Sequence, residues 1–105
     1  MDKRIATGTV EGTGAVISIN CGFVPRKVQL INIDGDAVLE WTSDMGAGKG
    51  YKILGTGLGA LLASNGITAS ASTDTFFGFK IGADADINVA TTGAVETIVW
   101  TAWPV

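Results

Sequence analysis

"RKVQLINIDGDAVLEWTS", residues 26 to 43, decides the fold. Apolar and polar residues alternate on both sides of a short polar break, the pattern of half-buried strands. In "AVLEWTS", Ala37, Leu39 and Trp41 fall on one face and Val38, Glu40 and Thr42 on the other. The break is "DGD", residues 34 to 36, and Asp-Gly between alternating segments signals a hairpin with a tight turn. Pro25, just ahead, can open a strand but cannot donate a hydrogen bond from its middle. Two antiparallel neighbours are therefore expected here.

The same period runs outward in both directions. "GAVISIN" continues into Cys21, and alternation puts Ala15, Ile17, Ile19 and Cys21 on one face. "TFFGFKIG" sets Phe77, Phe79 and Ile81 against Phe76, Gly78 and Lys80. "ETIVWTAWPV" is apolar on both faces, with Ile98, Trp100 and Ala102 opposite Val99 and Trp103. A strand of that kind is central to a sandwich, or else one of its faces meets another subunit. No segment keeps a helical apolar period for three turns; Leu58, Leu61 and Leu62 have the spacing, but Gly55, Gly57 and Gly59 weaken even one turn. The expected fold is all-β and single-domain, an antiparallel β-sandwich or small barrel, with a jelly roll among the arrangements that fit. Residues 1–9 read as an N-terminal arm, residues 10–105 as the β domain, and residues 45–67 as a Gly-rich loop within it.

Composition narrows the function. Of 105 residues, 47% are hydrophobic and only 16% charged, against about 25% charged in an average domain. A surface with so few charges points to burial against other subunits, hence a homo-oligomer, a dimer or trimer. The net charge of −3, with Lys3-Arg4 and Arg26-Lys27 as the paired basic residues, argues against nucleic acid. The longest apolar stretch, "ILGTGLGALLA", is short of the roughly 18 residues of a membrane span, and "MDKRIATGTV" lacks the apolar run of a secretory signal. Synthesis in a cytoplasm is expected.

The residue types for chemistry are sparse. With no His, the single Cys21 has no base to activate it and reads as a buried structural thiol. In "MGAGKGYKILGTGLGALLASNGI", Gly48-Lys49 is followed by Gly50 rather than Ser or Thr, and Ser43 stands where the P-loop needs its first Gly. "GTGLG" lacks the spacing of a dinucleotide fingerprint. A glycine-rich stretch carrying Leu54, Leu58, Leu61 and Leu62 reads instead as a loop that orders on a partner. "DADIN" places Asp84, Asp86 and Asn88 at i, i+2 and i+4, as at the start of a calcium loop. Val89 replaces the sharp-turn glycine, and Val95 the twelfth-position Glu, so a turn with solvated carboxylates is expected. Acid–base catalysis would have to come from tip carboxylates such as Asp34, Asp36, Asp84 and Asp86, so no enzyme, cofactor or metal is expected.

"GFVPRKVQLINIDG" (22–35), "GFKIGADADIN" (78–88) and "ETIVWTAW" (96–103) resemble small virion structural proteins of tailed bacteriophages. In such sequences a Gly-Phe-x-Pro start leads into a Val-x-Leu-x-Asn strand, and a Gly-Phe-x-Ile-Gly turn and a Trp-x-Ala strand come near the end. The resemblance implies a capsid decoration, or cement, protein in the virion, stapling neighbouring major capsid subunits. A tail, fibre or head–tail connector component is the alternative, and a carbohydrate-binding module the alternative of another class. On the decoration reading the expected contact residues are Lys3, Arg4 and Ile5 in the arm, Tyr51, Leu58, Leu61 and Leu62 in the 45–67 segment, and Trp103 and Val105 at the end.

Overall fold

Alternation builds the strands, and pairing them turns the alternation into an inside and an outside. The computed structural model describes residues 4–71, 73–91 and 94–104. Its main sheet holds β1 (Ala6–Glu11), β2 (Ile17–Asn20), β3 (Lys27–Asn32), β4 (Ala37–Thr42), β5 (Lys49–Leu54), β6 (Gly59–Ala69), β7 (Gly78–Ile81) and β10 (Thr97–Trp103). A small second ladder pairs β8 (Ala90–Thr91) with β9 (Ala94–Val95). The order in the main sheet is β1-β10-β3-β4-β5-β6-β7-β2, antiparallel throughout. The sheet curls into a half-barrel, the barrel-like form of the expected all-β fold. A radius of gyration of 12.9 Å matches the roughly 13 Å of one folded domain of this length.

The inner face is the core. Val28 and Leu30 of β3, Leu39 and Trp41 of β4, Ile67 of β6, Phe79 and Ile81 of β7, and Ile98 and Trp100 of β10 are all buried there. The Phe79 and Trp100 rings meet edge to face, 5.7 Å between centroids at 73°, the favoured aromatic geometry. β10, apolar on both faces, lies one strand in from the sheet edge, between β1 and β3.

Several expectations need correcting. The β3–β4 hairpin forms, with Asn32 opposite Ala37, but its connection is four residues long. The left-handed conformation falls on Asp36 (φ 56°), not on Gly35. The Asn32 side chain decides this by accepting the N–H groups of Asp34 and Gly35 at 3.1 and 2.7 Å, an Asx-type closure that replaces the tight turn. Residues 45–67 are no loop: most of that stretch is the β5–β6 hairpin, entered through a 3₁₀ turn at Ser43–Met45. The arm is shorter than nine residues, because Ala6 to Thr9 pair with β10. Phe77 lies outside β7 and is exposed, as is Ala15 ahead of β2. Cys21 is half-buried rather than buried.

Glycine at position 78 allows β7 to approach β2. A methyl group there would run into the carbonyl oxygen of Ile19, and backbone cannot step aside as a side chain can. Gly78→Ala is therefore expected to destabilise the protein by about 1–3 kcal/mol. A urea midpoint equal to wild type would contradict this close approach.

Candidate interaction surface

Between β7 and β10 the chain plugs into the core through Ile87, and the "DADIN" residues lie in that plug. Ile87 is fully buried and belongs to the core cluster. Two asparagines hold the segment in place. Asn32 donates from Nδ2 to Asp86 O (3.1 Å), Ile87 O (3.2 Å) and Glu96 Oε1 (2.8 Å). Asn88 accepts the Thr13 and Gly14 N–H groups at 2.7 and 3.1 Å, and donates to Ala15 O (2.6 Å) and Gly82 O (3.1 Å). Every polar end of both amides is used, as burial requires.

The carboxylates meet a lysine. Lys52 stands opposite Leu39 on the inner face of β5, an apolar position by parity, and its ammonium contacts Asp84 Oδ1 at 3.0 Å and Asp86 Oδ2 at 2.7 Å. Burial alone would lower the Lys52 pKa, but hydrogen bonds to Asp86 and Asp84, with their charges, outweigh it and hold it above the ordinary lysine range. Asp84 is thus buried and paired, not solvated as its place in a turn implied. Asn88 Oδ1 is bound to Thr13 and Gly14 while the two carboxylates bind Lys52, so the three side chains do not converge on one point. Among the described residues no group of three or more His, Cys, Asp or Glu could hold a metal ion.

Two of the other candidates, Asp34 and Cys21, bond to backbone groups. Asp34 Oδ2 accepts the Thr97 N–H at 2.7 Å and so serves the β3–β10 corner. Desolvation raises the Cys21 pKa, opposed by hydrogen bonds with the backbone of Phe23 and of Cys21 itself. A raised thiol pKa makes a poor nucleophile.

The convex face offers a further candidate. On the convex face the ladder lines up Thr9, Val99, Ile31, Val38, Ile53 and Gly59, one per strand from β1 to β6. This row carries no charge. The row beside it runs Thr7, Thr101, Gln29, Glu40, Tyr51 and Leu61, and Gln29 Nε2 donates to Glu40 Oε2 at 3.2 Å. Both rows end on the β5–β6 hairpin, where Leu58 is 70% and Leu61 76% exposed, with Tyr51 and Ile53 also exposed. Gly59–Leu62 pairs with β5 alone, because the register breaks between Lys49 and Gly50 and β6 rejoins at Ile67. Beside the break lies an open cleft of about 370 Å3 lined by Met45, Lys49, Leu61 and Leu62.

The expected contact residues separate on this map. Tyr51 and Leu61 are cross-strand neighbours on the convex face and Leu58 sits in the hairpin turn. Leu62 points the other way and packs against the core. Trp103 is half-buried, with Lys27 Nζ 4.8 Å from its ring centroid. Arg4 and Ile5 are exposed ahead of β1; Lys3 and Val105 lie outside the described residues. Sequence reading missed Lys52, Asn32 and the Ile31–Val38–Ile53 row. The signal was present as polar residues at core parity and apolar ones at solvent parity, but it needs the strand register to be seen. No family model, no curated protein and no solved structure matches this chain.

Proposed function

We propose that this protein is a structural component of a bacteriophage particle, a decoration protein that binds the head by laying its convex sheet face and β5–β6 hairpin on the major capsid protein. The observation that carries the reading is the uncharged row across six strands, extended by Leu58 and Leu61 on the hairpin. Exposed apolar residues in a continuous patch mark a surface that is covered in use. Fully burying a leucine contributes about 1.5–3 kcal/mol, so two leucines and the flanking row support binding that repetition over a shell multiplies. The resemblance of residues 22–35, 78–88 and 96–103 to phage virion proteins agrees with this. Those segments form β3, β7 with the plug, and β10, and so supply Ile31 and Val99 to the row. Trp41 and Trp100 are buried in the core, which weakens the carbohydrate-binding alternative.

The test is co-sedimentation of the purified protein with phage heads that lack it, with gold labelling of intact particles. Wild type is expected to pellet with heads and label the shell. A Leu58→Ser/Leu61→Ser variant is expected to lose binding at least tenfold while its own stability stays within about 0.5 kcal/mol, since both side chains are exposed. Label confined to the tail would favour the tail-component alternative, and no binding to the particle would end the proposal.

A further inference from the structure

We propose that β1 is a self-pairing edge, at which a second copy of this chain adds its own β1 antiparallel to form one sheet continuous across two protomers. The inference is independent of the virion reading. The main sheet ends at β1 on one side and β2 on the other, and these two strands do not pair with each other. β2 has four residues; β1 has six, with no proline, lysine or bulge to block another strand. Edges left in that state are templates for pairing.

The hydrogen-bond phase shows which groups face away from β10. Gly12 N–H donates to Glu96 O at 2.9 Å, and Ile33 N–H to Thr97 O at 3.1 Å. Carried along the register, these bonds turn the backbone groups of Ala6, Gly8 and Val10 toward β10. In an antiparallel ladder the alternate residues face the other way, so Ile5, Thr7, Thr9 and Glu11 present their N–H and C=O groups at the open edge.

Symmetry then selects a register. A two-fold axis perpendicular to the sheet keeps each face on its own side, so paired residue numbers must share parity. Centred on Gly8, the pairing sets Thr7 opposite the second copy's Thr9, Ala6 opposite its Val10, and Ile5 opposite its Glu11. Every outward-facing donor and acceptor from Ile5 to Glu11 then finds a partner. Centring on Thr7 or Thr9 leaves Glu11 or Ile5 without a partner inside that stretch. Threonines opposite threonines are a favourable cross-strand pair, and no charge meets its like. The residue on the axis is a glycine whose inner side is filled by the Trp100 ring, 2.6 Å from where a Cβ would lie, so no side chain holds the two copies apart.

The experiment is sedimentation of the full chain over a wide concentration range, with three variants. Wild type is expected to double its mass. Thr9→Pro removes a donor that faces the open edge and not β10, so it is expected to abolish the dimer with the far-ultraviolet spectrum retained. Should it unfold the chain, Thr7→Lys/Thr9→Lys gives the same reading by setting like charges opposite each other. Register is read in a Cys21→Ser background: a mixture of Thr7→Cys and Thr9→Cys proteins is expected to cross-link under oxidation, and Thr7→Cys alone is not. A monomer at every concentration, an oligomer indifferent to both edge variants, or stronger cross-linking of Thr7→Cys alone would overturn the proposal.

Discussion

Replacing Lys52 with methionine is expected to destabilise the protein by about 3–5 kcal/mol, because it strands a buried carboxylate. Asp84 is 8% exposed, and the ammonium of Lys52 meets both of its oxygens at 3.0 and 3.1 Å. A urea titration of the variant would measure the loss. Lys52→Met/Asp84→Asn is expected to recover most of it, since the uncompensated charge is gone and the amide can still accept the Asp86 N–H that Asp84 Oδ2 accepts at 3.0 Å. A double variant as unstable as the single one would locate the cost in packing rather than charge. The pH dependence has a definite sign. The Lys52 pKa is raised in the folded protein, so its contribution is complete below the unfolded lysine value of about 10.4 and is lost as pH rises through the higher folded value. Stability in the wild type is therefore expected to fall in strong alkali by an amount that the double variant does not show.

Asn32→Leu is expected to cost about 2–4 kcal/mol although leucine has the same number of side-chain heavy atoms in the same branched arrangement, because buried polar groups would lose their partner. The amide satisfies three acceptors in the plug and two N–H groups in the β3–β4 turn. Its removal loosens both at once. Hydrogen exchange is expected to speed up in residues 33–36 and 84–88 together, where damage to the core alone would not single out those two segments. Unchanged protection there would show that the turn and the plug are held by other contacts.

The strands themselves were legible in the sequence. Period-two alternation in "AVLEWTS" and "ETIVWTAW" is a local property, written in consecutive residues, and pairing cannot reverse which of them share a face. The same holds for the missing motif chemistry at Gly48-Lys49. The candidate surface was legible only in part: Leu58, Leu61 and Tyr51 stood out as apolar residues beside glycines, but Leu62 beside them is turned to the core.

The sequence by itself determined an all-β chain with its inner and outer residues on most strands, because side-chain direction along a strand depends on position alone. Tertiary structure decided the rest. Glycines at 55, 57 and 59 made residues 45–67 look like a loop, yet Gly59 pairs with Ile53 under the covering Tyr51 ring and the hairpin forms. "DADIN" looked like a solvated turn until Lys52, distant in sequence, met its carboxylates, and Asn32 and Asn88 bonded across separations of 54 to 75 residues. The turn at Asp34–Asp36 took its form from a side chain two residues before it. In each case the deciding partner is chosen by strand register, a long-range property, and no window of neighbouring residues contains it.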